Sequence, residues 1–172
     1  MRILCWIPSY LRYLKEEGYE IRDRHVVFAW FIYTLHKKRQ TKYKDGDDVY
    51  HMSHSDFVNI MGWKSFKNKW NEDLEILRKI FRIGQRGGYW TIQFTKETIE
   101  HRATKNRKQP SYDWIYLEDV DAIAIHFYLQ GLMRNGDLLS DWQKGQDMDE
   151  FYKEHPLTKS EYDIMKFRSD LY

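Results

Sequence analysis

Apolar residues along this chain recur with two rhythms, one of three to four residues and one of two, and their succession predicts the order of elements. Leu4, Ile7, Leu11 and Leu14 have the spacing of a helix over Ile3 to Glu17, interrupted by Pro8 and stopped by Gly18. Asp23 is placed to cap a second helix reaching Lys38, with Val26, Val27, Trp30, Phe31 and Leu35 along one broad apolar face. Asp45-Gly46 reads as a turn and Asp48 to Met52 as a short strand. Ser53 and Asp56 make a capping-box start for a short helix presenting Phe57, Ile60 and Met61, which Gly62-Trp63-Lys64 breaks.

Ser65 then caps the most regular helix of the chain, running to about Lys79. Phe66, Trp70, Leu74 and Leu77 share one face of it, while Lys67, Asn68, Asn71, Glu75 and Arg78 fall largely on the others. The rhythm switches to two at Phe81 and Ile83, with Arg82 on the opposite side, and resumes at Trp90, Ile92 and Phe94. Gln85-Arg86-Gly87-Gly88 between them predicts a β-hairpin with a glycine tip. Further on, Leu117, Val120, Ile123, Ala124 and Phe127 predict a helix ending near Asn135-Gly136. After Pro156, Thr158 to Glu161 starts another, presenting Tyr162, Met165 and Phe167.

Charge changes this picture more than composition does. The 172 residues carry a net +2, but Tyr112 to Tyr172 hold six basic and thirteen acidic residues, a net of −7, which leaves +9 for the rest. The switch falls in the polar, basic stretch 101–111, where Pro110 discourages helix at Gln109. The expected organisation is a domain over 1–100, a basic linker over 101–111 and an acidic helical segment over 112–172. A split of this size points to one part that binds a polyanion and another with a different task. The single Cys5 excludes an internal disulfide and fits a reducing compartment, and its apolar neighbours predict a buried thiol. No apolar run is long enough for a membrane span, and Pro8, Arg12 and Lys15 break any signal-peptide core. The expectation is a cytoplasmic protein with no membrane partner.

The order helix, strand, helix, tight turn, helix, hairpin over Asp23 to Phe94 has the form of a helix-turn-helix with a wing. In that arrangement the N-terminal turn of the third helix offers Lys64, Ser65, Lys67, Asn68 and Asn71 to base edges, with Lys69 for the backbone. Arg82, Gln85 and Arg86 sit on the wing, and Arg102, Lys105, Arg107 and Lys108 follow it, placed to lie along phosphates. The stretch from Met52 to Ile80, over residues 20–100 taken broadly, resembles the N-terminal winged-helix domains of phage replisome organisers and plasmid replication initiators. That resemblance implies an α+β, mainly α fold and a duplex-DNA-binding protein of a mobile element, acting in replication initiation or transcriptional control. In a phage protein the compartment would be the host-cell cytoplasm or its nucleoid. Trp63, Phe66 and Trp70 depart from the small residues usual around the family's turn.

Chemistry finds no complete constellation. His51, His54 and Asp56 are the nearest approach to a metal cluster but lack a full ligand set. Glu118, Asp119 and Asp121, with His126 beyond them, have the form of a carboxylate pair for Mg²⁺, yet acidic residues at a helix start also favour its dipole. Phosphate-loop, dinucleotide and nucleophile-elbow motifs are absent from the sequence, so neither cofactor nor catalysis is expected. The acidic segment, with Glu118, Asp119, Asp121, Asp149 and Glu150 as contact residues, is expected to form a homodimer or to recruit a replication or host protein. A rival reading makes the chain a non-catalytic interaction factor, such as a viral inhibitor whose acidic part imitates nucleic acid to occupy a host groove.

Overall fold

Ile3–Pro8 form a strand, β1, and the helix α1 begins only at Ser9, running to Glu16. The sequence reading had put helix from Ile3. Apolar residues crowd Ile3 to Ile7 so closely that neither period stands out, and the pairing partner lies over a hundred residues away. Pro8, with φ −59 and ψ 135, ends the strand and leaves Ser9 to start the helix. The computed structural model describes residues 2–37, 44–45, 49–63, 67–102 and 110–134.

The remaining elements are α2 (Asp23–Lys37), β2 (Lys44–Asp45), β3 (Val49–Ser53), α3 (His54–Met61), α4 (Lys67–Ile80), β4 (Phe81–Arg86), β5 (Tyr89–Phe94), α5 (Lys96–Glu100), β6 (Tyr112–Leu117) and α6 (Val120–Arg134). The fold is α+β and mostly helical, with two antiparallel sheets, β1-β6 and β2-β3-β5-β4. Among the described residues no helix is long and apolar enough to cross a membrane.

The buried centre is α2. Val26 through Tyr33 are all buried, so the helix has no polar face along that stretch, where the sequence pattern had predicted one apolar stripe. It is covered from more than one side. Phe28 meets Phe57 of α3 and Phe81 of β4, at centroid distances of 4.9 and 5.4 Å. Trp30, about 200° further round at 3.6 residues per turn, meets His126 of α6 at 4.2 Å. Asp23 does not cap its own helix. Its Oδ2 accepts the N–H groups of Glu118 and Asp119, each at 2.8 Å, and so ties the start of α2 to the start of α6.

Residues 112–134 therefore belong to the same folded body as the N-terminal strand. The boundary expected at 112 falls beside a strand, β6, that pairs with β1 from Ile3↔Leu117 to Pro8↔Tyr112. Leu117 ends that strand rather than opening a helix, and Asp119 starts α6 instead, its Oδ1 accepting Ala122 N at 2.9 Å. The helix α5 has no counterpart in the sequence reading. Thr95 caps it, and Thr98 Oγ1 donates to Ile80 O at 2.8 Å, fastening it to the end of α4. The helix expected after Pro156 lies outside the described residues.

Candidate nucleic-acid interface

The turn between α3 and α4 is built from the sequence in a readable way. Ser53 caps α3, its Oγ accepting Asp56 N at 3.2 Å. The reciprocal half of the capping box is not made, since neither Asp56 carboxyl oxygen closes a hydrogen bond. Asp56 is fully buried, and burial, only partly offset by the Ser53 hydroxyl, pushes its carboxyl up to about 8. At the other end Gly62 takes φ 66 and closes α3. Gly62 N reaches Asn59 O at 3.3 Å, and Trp63 N reaches Val58 O at 3.0 Å. The pair of bonds and the Phe57–Trp63 ring contact at 4.8 Å together make a Schellman stop.

Beyond this turn, α4 is held by one buried carboxylate. Asp73, on the inner side of α4, accepts Trp63 Nε1 at 2.7 Å and pairs with His25 Nε2 at 2.7 Å and with the Arg22 guanidinium. Arg22 N donates to His25 Nδ1 at 3.0 Å, which assigns the ring proton to Nε2 and lets a neutral His25 donate to Asp73. Burial alone would raise the Asp73 carboxyl, but hydrogen bonds from His25, Arg22 and Trp63 hold it below the ordinary carboxylate value. Asp73 and His25 are both closed to solvent, so the pair positions α4 against α2 and the turn instead of meeting a substrate. Sequence reasoning missed this cluster. The signal was available: Asp73 lies three residues after Trp70 and four before Leu77, a carboxylate on the apolar stripe, which must find partners there.

The heavy residues around the turn are accounted for by an aromatic box. Trp63 stacks on Trp70 at 5.0 Å and 16°, Phe57 packs on Trp90 at 4.9 Å, and the His54 ring lies between Trp70 and Trp90. Trp90 Nε1 donates to His54 Nδ1 at 3.0 Å. The box joins α3, the turn, α4 and β5, so large side chains here stiffen the unit that small residues would leave loose.

The hairpin is paired from Phe81↔Phe94 to Arg86↔Tyr89, leaving a two-residue tip at Gly87-Gly88. Gln85 and Arg86 are thus strand residues, not turn residues. Gly87 has φ 65, the left-handed position that a glycine-first hairpin turn requires. His54 N donates to Gly88 O at 3.2 Å, which fixes the tip against the start of α3. On the outer side of the sheet a groove of about 530 Å³ is lined by Val49, His51, Arg82, Gly84, Thr91 and Gln93. A Cβ on Gly84 would stand 3.0 Å from Thr91 Oγ1, so a side chain there would have to displace the threonine hydroxyl.

The expected DNA-contacting residues fall as follows. Lys67, Asn68 and Lys69 form the first turn of α4, Asn71 is exposed one turn in, and Lys64 and Ser65 lie outside the described residues. Arg82 and Gln85 are exposed on β4, and Arg86 is its last residue. Arg82 lines the outer groove and Arg86 pairs with Tyr89 beside the tip, so the two are separated along the strand. Arg102 is exposed and its Nη1 reaches Asp113 Oδ2 at 3.4 Å. Lys105, Arg107 and Lys108 lie outside the described residues.

The acidic residues expected to meet a partner fall as follows. Asp119 caps α6, Asp121 sits in its first turn, and Glu118 pairs with Arg2 at 3.3 Å. Asp149 and Glu150 lie outside the described residues. His126, two turns into α6, is buried against Trp30, and burial lowers its ring to about 4. Among the described residues no three His, Cys, Asp or Glu side chains gather as metal ligands. Cys5 is buried, and burial pushes its thiol far above the ordinary range. Comparison with known proteins finds no matching family model, no matching curated protein and no matching solved structure.

Proposed function

We propose that the chain is a sequence-selective duplex-DNA-binding protein with a winged helix-turn-helix unit. In this reading α3 and α4 are the two helices, β4 and β5 the wing, and Lys67, Asn68, Lys69 and Asn71 the groove-facing donors. Arg and Lys suit guanine and Asn suits adenine, so this set reads sequence as well as charge. Arg82, Gln85 and Arg86 take the neighbouring minor groove or its phosphates. The task belongs to replication initiation or transcriptional control on a phage or plasmid.

The observation that carries the reading is topological. Elements α2, β2, β3, α3, α4, β4 and β5 follow one another with the strand order β2-β3-β5-β4, and the Asp73 cluster anchors α4 to α2 and the turn. A helix held that rigidly at its inner side, with lysines and asparagines in its first turns, is the arrangement that groove reading needs.

Fluorescence anisotropy of the full chain on random duplex DNA across a salt series tests the proposal. Each phosphate neutralised contributes about −0.9 to the slope of log K against log salt. The expected slope is steep, and replacing Lys67, Lys69 and Arg86 with alanine flattens it. Weak binding that ignores salt would refute the proposal.

A further inference from the structure

The two-stranded sheet β1-β6 has one face in the core and one outside. Its register places Leu4, Trp6 and Pro8 opposite Tyr116, Trp114 and Tyr112 on the outer face, with Cys5, Ile7 and Leu117 on the inner. Four large outer residues are exposed: Leu4 by 45%, Tyr112 by 51%, Trp114 by 36% and Tyr116 by 48%. Side chains of this class bury roughly 150–250 Å² each, so the row offers about 300–400 Å² of apolar surface. Patches of that size on a folded chain are commonly binding surfaces.

Strand addition is not the use this ribbon is built for. Arg12 Nη1 donates to Trp114 O at 2.8 Å and to Asp113 Oδ1 at 3.2 Å, and so occupies the open edge of β6 with a charged side chain. The face is what remains available. Its rim carries both signs of charge. Arg2 lies 4.0 Å over the Tyr116 ring while pairing with Glu118, and Arg12 also pairs with Glu16 at 3.2 Å. Lys15 and Glu16 border the groove of about 450 Å³ that runs between α1 and this face.

A polyanion favours a rim with cations in excess. A rim that carries arginines and carboxylates in balance suits a second copy of itself, because a two-fold axis sets residue i of one copy against j of the other and j against i, so that an arginine can face the other copy's carboxylate. We infer that the outer face of β1-β6 is a self-association surface whose occupant is a second copy of this chain. A standard interface takes about 800 Å² from each partner, with its apolar part at the centre. The aromatic row supplies that centre and the Arg2–Glu118 and Arg12–Glu16 rim the surround, which makes a modest and reversible dimer. No residue of α3, α4 or the hairpin belongs to this row, so both copies keep those elements clear. Where duplex binding holds as proposed, one dimer carries two reading helices. That consequence rests on the DNA reading, and the association itself does not.

Sedimentation equilibrium of the full chain, without DNA and over micromolar to submillimolar concentrations, tests the inference. The expected mass rises with concentration to twice the monomer's. Tyr116→Glu places a charge within the aromatic row, at an exposed position, and should raise the dissociation constant about tenfold or more with an unchanged circular dichroism spectrum. Leu4→Lys serves the same purpose if the first variant fails to fold. A wild-type chain that stays monomeric throughout overturns the inference, as does a dimer that both variants leave intact. Quenching of tryptophan fluorescence by a single-stranded oligothymidylate, in a chain that remains monomeric, would assign the face to unpaired bases and equally overturn it.

Discussion

Replacing Asp73 with alanine is the most informative single perturbation of the proposed reading unit. It removes the common acceptor of His25 Nε2 and Trp63 Nε1, both of which would be left as donors in a closed interior. Each unsatisfied buried donor costs about 1–3 kcal/mol. The Arg22 side chain is 48% exposed, so water takes over much of its share and its loss adds little. The expected destabilisation is about 3–5 kcal/mol, a large part of the 5–15 kcal/mol that holds a domain of ordinary stability. Urea unfolding followed by tryptophan fluorescence reads it directly, with Trp63 beside the lesion as reporter. Asp73→Asn keeps one acceptor oxygen and should recover about half of the loss. The sign with pH follows from the depressed carboxyl. Its contribution is complete above the unfolded aspartate value and is lost as pH falls through the lower folded one, so the alanine variant should lose less on the acid side than the wild type. A loss below about 1 kcal/mol for Asp73→Ala would mean that the cluster is incidental to the placement of α4.

Four further outcomes are expected. His126 titrates near 4 in the fold against 6.5 unfolded, so stability should fall by up to about 3 kcal/mol as pH drops across that window, and His126→Leu should flatten this part of a urea-midpoint profile. Asp56 works in the opposite sense: with its folded carboxyl near 8, ionising it costs stability progressively from about 4 upwards, and Asp56→Asn should remove that slope and make the protein more stable at pH 8 than the wild type. Gly62→Ala forces a side chain into φ 66 and to within 3.1 Å of the Arg24 guanidinium, which should lower the thermal midpoint by at least the equivalent of about 1 kcal/mol. Asn71→Ala should relax base preference in a site-selection assay, whereas Arg82→Ala should weaken binding to all sequences and reduce the salt slope by about 1.

How much of this was legible in the sequence follows the range of the interactions concerned. Ser53, Gly62 and Gly87 act on their own neighbours, so the cap, the stop and the hairpin tip were readable from a few residues each. The stripe of Trp70, Leu74 and Leu77 likewise set α4 within two residues of its observed start. The β1-β6 pairing was not legible, because neither strand alternates clearly and nothing near Ile3 mentions Leu117. The same holds for Asp23, an N-cap residue by local rules, whose carboxylate instead serves the start of α6 from ninety-five residues away. At the candidate site, residue types were legible and their restraints were not. Lys67 to Asn71 could be named from spacing, but the carboxylate that holds their helix was visible only as an odd polar residue on an apolar stripe.

The division of charge along the chain also changes meaning in three dimensions. A net of −7 after residue 111 against +9 before it had implied two parts with separate tasks. Yet Asp113, from the acidic part, is clasped by Arg12 and Arg102 from the basic part, and Glu118 by Arg2. Within the described residues the acidic part thus offsets cations on the side of the fold that holds β1, α1 and β6. On α4 and the hairpin, Arg82 is exposed, and Lys67, Lys69 and Arg86 belong to the same two elements. The linear asymmetry is therefore not a clean partition, since carboxylates of the later part pair with arginines of the earlier one. This makes a sharp expectation. Asp113→Asn, which releases Arg12 and Arg102 from a carboxylate, should strengthen salt-dependent binding to random duplex while leaving the base preference set by Asn71 unchanged. A shift in base preference in that variant would show instead that the two faces act on DNA together.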